Sequence, residues 1–302
     1  MRLAVAATPE VAIPTLNLLR DSTHTLAAVI TQPDRRAGRG LAVKESPVAI
    51  WAKDNQIPTF KPQSQQDLSE IASNFDLIIT IGFGMIIQES ILHLPRYGFI
   101  NLHFSLLPRW RGAAPVQRAI EAGDSITGVS VFRLDKGMDT GPIFRQAPFT
   151  IGPQSTTQNL LSELAQLGAP IVLETIEAIA AGEAPRLQDS SSVTRAEKLT
   201  REEGRIDWHL PADVIERKVR AFFPSPGSWS TFRGSVIRIE RVELFTNFDD
   251  EPGELRIVNK DLVITCGENS LKIVEITPAG KSVMPASAWL NGAHLRPGEK
   301  FV

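Results

Sequence analysis

A single cysteine, Cys266, in 302 residues excludes an intramolecular disulfide framework and any cysteine-rich zinc site. It reads as a small buried hydrophobe on a strand. The five histidines are scattered, with no metal-binding spacing such as H-E-x-x-H, so no metal is expected. No apolar run approaches the roughly 20 residues needed to cross a bilayer. The opening run breaks at Thr8-Pro9-Glu10, short of a signal-peptide core. No membrane partner is expected, and a cytoplasmic location is the default. Excess charge is missing as well: 32 Lys and Arg face 34 Asp and Glu, for a net charge of −2. No global field therefore demands nucleic acid, and a polyanion would have to be met by local basic patches. No internal repeat is present.

What remains is an ordinary globular composition, 42% hydrophobic and 22% charged, long enough for two domains. The first half alternates strand and helix signals. Leu3–Ala7, Leu26–Thr31, Ile57–Phe60, Leu77–Ile81 and Phe99–His103 read as strands. Thr8 with Pro9, and Ser46 with Pro47, read as helix starts, and Gln32–Lys44 as a long polar loop. This βα alternation predicts an α/β fold with a doubly wound, mainly parallel sheet. Val129–Leu134 and Ile143-Phe144 predict a hairpin around Asp139-Thr140-Gly141. A helical pattern runs from Gln154 to Ala181, kinked or split by Pro170. The Gly, Pro and Ser content of 182–192 reads as a linker. Beyond it, a helix at Ala212–Phe222 and short glycine-punctuated strands predict a small β-barrel or sandwich. The expected division is 1–188, a linker over 189–208, and 209–302.

The chemistry concentrates in Asn101-Leu102-His103-Phe104-Ser105-Leu106-Leu107-Pro108, running on to Arg111-Gly112. Asn101 and His103 are two apart at the end of an apolar run, so a strand projects both from one face at its C-terminal end. Open α/β sheets bind ligands there. An amide N–H can donate to an oxyanion and an imidazole can move protons near neutral pH, a pairing suited to acyl chemistry. Phe104 should point away from His103. Gly82-x-Gly84 fails as a dinucleotide fingerprint because position 87 is Ile. Asp139-Thr140-Gly141 matches an aspartic-protease triplet, but one copy gives no carboxylate pair. Arg35, Arg36 and Arg39, interleaved with Ala and Gly, suit phosphate contact.

Asn101-x-His103-x-Ser105-Leu106-Leu107-Pro108-x-x-Arg111-Gly112, with Asp139-Thr140-Gly141-Pro142 downstream, resembles the folate-dependent formyltransferases, most closely the branch that acts on methionyl-tRNA. The likeness extends through Gln32–Gly40, Ala196–Leu199, Arg205–Trp208 and Pro278–Lys281, nearly the whole chain. It implies a Rossmann-like catalytic domain followed by a smaller OB-like β-barrel that binds tRNA. It implies transfer of a formyl group from 10-formyltetrahydrofolate to the α-amine of initiator methionyl-tRNA by a monomeric enzyme without a metal. Carried over residue by residue, Asn101, His103 and Asp139 would be catalytic. Ser105, Leu106, Leu107 and Pro108, with Phe83, Gly84 and Met85, would line the folate pocket, and Arg35, Arg36 and Arg39 would touch tRNA. In the barrel, Lys218, Arg220, Arg233, Arg238, Arg241, Lys272, Lys281 and Arg296 are candidate phosphate contacts. One departure is Ala7, where the family usually has glycine. A formyltetrahydrofolate hydrolase, a sugar-amine formyltransferase and a non-catalytic folate- or RNA-binding module are the competing readings.

Overall fold

The apolar run after Met1 becomes β1 (Arg2–Ala7), buried at every position but its first. This computed structural model describes residues 1–37, 42–246, 248 and 250–302. After β1 come α1 (Ile13–Arg20), β2 (Thr25–Ile30), β3 (Arg35–Ala37), β4 (Ala42–Lys44), α2 (Pro47–Asp54), β5 (Thr59–Phe60), α3 (Gln65–Ala72), β6 (Leu77–Ile81), α4 (Glu89–Leu92), β7 (Phe99–His103) and β8 (Arg111–Gly112). Then follow α5 (Pro115–Ala122), β9 (Ile126–Arg133), β10 (Ile143–Thr150), α6 (Thr157–Ala180) and β11 (Arg195–Ala196). Two units divide the chain. Met1–Pro115, Ile126–Thr150 and Leu161–Ala196 make the first, and Val116–Ser125, Ile151–Leu160 and Glu197–Val302 the second. Residues 189–196 thus group with the first unit and 197–208 with the second.

The first unit is built on a seven-stranded sheet in the order β10-β9-β7-β6-β1-β2-β5. β5, β2, β1, β6 and β7 are mutually parallel, and β9 and β10 join as an antiparallel hairpin. Both faces of the central strands are covered, which is why β6 is buried at every position and apolar at all but Thr80. α3 lays Leu68 and Ala72 against Ala4, Ala6, Ile78 and Phe99. Each large side chain buried there contributes about 1.5–3 kcal/mol relative to exposure. The strand order reverses direction between β1 and β6, so the crevice at their C-terminal ends is the switch point where such sheets hold ligands.

Local chemistry sets the turns beside that crevice. Thr8 does not cap a helix, as its position before Pro9 predicts. Its hydroxyl donates to the Phe83 carbonyl at 3.1 Å, tying the turn after β1 to the turn after β6. A 3-10 turn, Glu10–Ala12, intervenes before α1. Gly82 sits at φ +57°, where a Cβ would lie 2.8 Å from Pro9 Cγ, so the close turn admits only glycine. Ser46 does cap α2, accepting from Ala49 N–H at 3.0 Å, and Ser64 and Asp67 form a capping box on α3. Two other expectations change. The stretch after β2 is not one long loop: β3 and β4 pair antiparallel, giving their backbone groups partners. α6 is one 24-residue helix, neither split nor ended at Pro170. Buried Leu164, Ala165, Val172 and Ile176 on either side supply the packing that offsets the lost hydrogen bond.

The second unit's later elements are α7 (Ala212–Phe222), β12 (Ser228–Phe232), β13 (Ser235–Phe245), β14 (Leu255–Val258), β15 (Asp261–Thr265), β16 (Ser270–Pro278), β17 (Met284–Pro285) and α8 (Ala286–Ala293). The antiparallel order is β12-β13-β16-β15-β14, with β17 on β16. The C-terminal tail spans the two edges. Val302 exchanges both backbone hydrogen bonds with Thr231 of β12, while Glu299 and Phe301 bond Leu255 and Gly253 at the start of β14. The core gathers Trp208, Ile215, Val219, Ile239, Leu262, Leu271, Ile273 and Phe301. Cys266 is buried there, as expected, but just past the end of β15 and not on a strand, and burial pushes its thiol up to about 12. β12 and α8 have no counterpart among the elements that the sequence pattern predicts.

Candidate active site

β7 ends in the predicted pair. Asn101 stands opposite Thr80 in the parallel register with β6, and His103 opposite Ser130 of β9. The Asn101 amide nitrogen donates to Thr80 Oγ1 at 2.8 Å, and that hydroxyl donates onward to the Ile100 carbonyl at 3.1 Å. With its proton committed to Ile100, Thr80 Oγ1 can only accept from Asn101. The amide orientation is thereby fixed, and a second N–H is available to the cavity that Asn101 lines.

His103 is 6% exposed, its ring edge-on to Phe132 at 6.3 Å. Its Nε2 lies 2.9 Å from the Trp110 carbonyl. A carbonyl only accepts, so in the neutral ring Nε2 holds the proton and Nδ1 presents a lone pair. Nδ1 faces Asp139 Oδ2 at 3.7 Å, beyond hydrogen-bond range. The backbone of Trp110, not Asp139, therefore sets the imidazole's orientation and tautomer. Asp139 Oδ2 accepts from Gly112 N–H at 2.8 Å. The Asp139 backbone is left-handed, at φ +54°, a conformation that costs an L-residue about 1–2 kcal/mol and that Asp tolerates better than most. The result is a lone pair and a carboxylate facing each other across a gap suited to a group with protons to give to both.

The cavity before this pair holds about 590 Å³, within the range of small-molecule sites. Phe83, Gly84 and Met85, which the resemblance assigns to a folate pocket, line it. Phe104 lines it too; β7 ends at His103, so strand alternation no longer governs the next side chain. Ser105, Leu106, Leu107 and Pro108 do not line it. They brace the loop from behind. Ser105 Oγ donates to the Arg109 carbonyl at 2.6 Å, and Ser130 Oγ bridges the Ser105 carbonyl at 2.6 Å and the Leu107 N–H at 3.0 Å. Leu107 packs on Phe132 and Ile143. The wall that sequence reasoning missed is Leu134–Met138, in the turn of the hairpin that leads to Asp139. Its signal was available in Lys136-Gly137-Met138, directly before Asp139. Thr80, a lone hydroxyl in an apolar run, was the signal for the residue that orients Asn101.

The basic candidates separate. Arg35 and Arg36 fall on β3, and Arg39 lies outside the described residues. In the second unit, Arg220 pairs with Glu216, Arg233 with Glu299 and Lys272 with Asp261, so these cations already have acidic partners. Burial holds the Lys218 ammonium below its ordinary range. Arg241, Lys281 and Arg296 are exposed. Among the described residues, no helix is long and apolar enough to cross a membrane, and no cluster of three or more His, Cys, Asp or Glu could hold a metal.

Residues 1–176 match the family model described as formyl transferase, and residues 198–294 match the formyl transferase C-terminal domain. A methionyl-tRNA formyltransferase of Thermobifida fusca is 41% identical over 100% of this chain and 99% of its own length. One from Methylococcus capsulatus is 42% identical, over 100% and 99%. Among solved structures, methionyl-tRNA formyltransferase from Clostridium thermocellum superposes with a TM-score of 0.59 at 16% identity, covering 81% of this chain and 93% of that one. HypX from Aquifex aeolicus in complex with tetrahydrofolic acid gives 0.65 at 17% identity, over 96% of this chain and 47% of that longer one. The two structural likenesses speak for the fold. Both family models and full-length relatives at this identity agree: the chain belongs to the methionyl-tRNA formyltransferase family.

Proposed function

We propose that this chain transfers a formyl group from 10-formyltetrahydrofolate to the α-amine of initiator methionyl-tRNA, with Asn101, His103 and Asp139 as its catalytic residues. The observation that bears most weight is the meeting of a locked amide donor and two facing proton acceptors in one cavity. His103 Nδ1 and Asp139 Oδ2 hold the protons of the incoming amine and orient its lone pair toward the formyl carbon. As the new C–N bond forms, Asn101 donates its free N–H to the carbonyl oxygen that becomes an oxyanion. His103 accepts the amine proton at Nδ1 and returns one to N10 as the old C–N bond breaks. The pteridine rests against Phe83, Gly84 and Met85, while Ser105–Pro108 hold the loop that shapes the pocket.

Arg35, Arg36 and Arg39 meet tRNA phosphates, and the C-terminal unit adds contacts through cations without a close acidic partner. A single chain supplies every residue of this site, so the reading needs no second copy. Use of charged tRNA supports a location where translation runs, the cytoplasm. The test is formylation of charged initiator tRNA against water and a sugar amine as alternative acceptors. Transfer to tRNA, reduced at least about 100-fold in maximal rate by His103→Ala, is expected. Hydrolysis alone, transfer to the sugar amine alone, or full turnover by His103→Ala at saturating substrates would refute it.

A further inference from the structure

Residues 189–196 read in sequence as the start of a linker, yet together with Gln188 they hold both loops of the candidate site through side chains and backbone. The Gln188 amide nitrogen donates to the Asp139 carbonyl at 2.9 Å and the Gly141 carbonyl at 2.7 Å. Its oxygen accepts from Arg111 Nε and a terminal guanidinium nitrogen at 3.1 and 2.7 Å. Only a carboxamide can accept from a guanidinium and donate to two carbonyls at once. Six residues on, Thr194 Oγ1 accepts from Trp110 N–H at 2.8 Å, and the Thr194 carbonyl accepts from Arg111 N–H at 3.0 Å. Arg195 and Ala196 then pair in parallel with Arg111 and Gly112.

These bonds flank two residues of the site. The Arg111 N–H that Thr194 holds shares a peptide unit with the Trp110 carbonyl that orients His103, and Gln188 grips the Asp139 carbonyl, directly after the left-handed Asp139 backbone, together with that of Gly141. We infer that residues 188–196 are a positioning strap that sets the 3.7 Å spacing between His103 Nδ1 and Asp139 Oδ2, with Gln188 fixing Asp139 and Thr194 fixing the Trp110 backbone. The inference rests on the proposed roles of His103 and Asp139. Gln188 touches no reacting atom. It acts through Asp139, so removing it displaces the carboxylate and leaves the Phe83–Met85 wall in place.

The experiment compares Gln188→Glu, Gln188→Ala, Thr194→Val and Asp139→Asn in the full chain, each measured for kcat, for KM toward both substrates and for melting temperature. Gln188→Glu keeps the acceptor for Arg111 and loses both donors. A kcat lower by about ten- to a hundredfold, with KM within about twofold, is expected, since small misplacements of reacting groups cost rate and not binding. In the Asp139→Asn background the same change should cost less than about twofold, because its effect passes through a carboxylate already removed. Parental kcat in Gln188→Glu and Thr194→Val beside a crippled Asp139→Asn would overturn the strap and leave the catalytic assignment standing. So would an equal loss with and without Asp139, or a loss confined to melting temperature. Undiminished Asp139→Asn would overturn the assignment and the strap with it. If Gln188→Ala does not fold, Gln188→Glu and Thr194→Val decide between the same outcomes.

Discussion

Replacing Asn101 tests its proposed role in the transition state apart from its role in the fold. Asn101→Ala deletes the N–H offered to the cavity. Loss of one preorganised oxyanion donor costs about 2.7–4 kcal/mol, so kcat should fall about 100- to 1000-fold. KM for the folate donor should hardly move, because the contact forms only as the oxygen gains charge. The fold should survive. Thr80 keeps its own bond to the Ile100 carbonyl, and at the cavity wall water can replace the lost amide, for a net cost of about 0.5–1.5 kcal/mol.

Asn101→Asp sharpens the test, since it keeps the shape and inverts the electrostatics. A carboxylate about 4 Å from the developing oxyanion repels it by roughly 4 kcal/mol at an effective dielectric of about 20. That is a further loss of about 1000-fold beyond the alanine variant. The penalty disappears when the new carboxyl is protonated, so the aspartate variant alone should regain rate as pH falls. The assay is single-turnover formylation of charged tRNA at saturating enzyme and folate donor, across a pH series. Asn101→Ala within about threefold of the parent would refute the oxyanion role. An aspartate variant as fast as the alanine one at neutral pH would refute the charge argument.

Gly112→Ala should cost both stability and rate. Its φ is +129° and a Cβ would lie 2.4 Å from the Ala196 carbonyl oxygen, so the strap must shift and the N–H to Asp139 is lost; melting and kcat report the two effects. The Cys266 thiol should resist a thiol reagent at pH 8 in the folded enzyme and react fully in denaturant, since burial pushes it up to about 12; rapid native labelling would contradict its placement. The Arg233 guanidinium and the Arg296 N–H hold the Glu299 carboxyl at about 2, below its usual 4.5. A depressed carboxyl stabilises above the unfolded pKa and loses that contribution as pH falls through the folded one, so the melting difference between parent and Glu299→Gln should shrink from pH 5 to pH 2. A fragment ending at Ser192 lacks Thr194–Ala196 and the second unit that gathers residues 116–125 and 151–160, so it should melt below the full chain or fail to fold; a cooperative melt at the full-chain temperature would refute this.

The central sheet was legible because burial on both faces leaves its mark in sequence. Phe99–His103 carries its observed bounds in the sequence, an apolar run closed by a polar pair. Ser46 and its following proline announced α2, since caps are local chemistry. The Asn101, His103 and Asp139 constellation was legible as residue types. Their orientation was not, because it is set by groups with no sequence identity, the Trp110 carbonyl and the Gly112 N–H. Ser105–Pro108 were legible as a motif but their position was not: the bonds that draw them behind the cavity go to Ser130 and Gln146, far along the chain. β12 was missed because its serines and threonine dilute the apolar alternation, and the C-terminal tail that joins it offers no periodicity over four residues.

The strap shows why composition misleads at this place. Asp189-Ser190-Ser191-Ser192 is polar and exposed, and nothing in it distinguishes a tether from a brace. The difference lies in what the flanking residues bond. Gln188 reaches back 49 positions to Asp139, and Thr194 takes the Trp110 N–H from 84 positions away. Such contacts are invisible to periodicity, which reports only whether one face of an element is buried. They follow from the arrangement proposed for catalysis. A lone pair and a carboxylate that must stay close without sharing a proton cannot be fixed by bonding to each other. Each has to be held from behind, and rigid backbone groups braced by a third segment do this without adding another titrating side chain to the site.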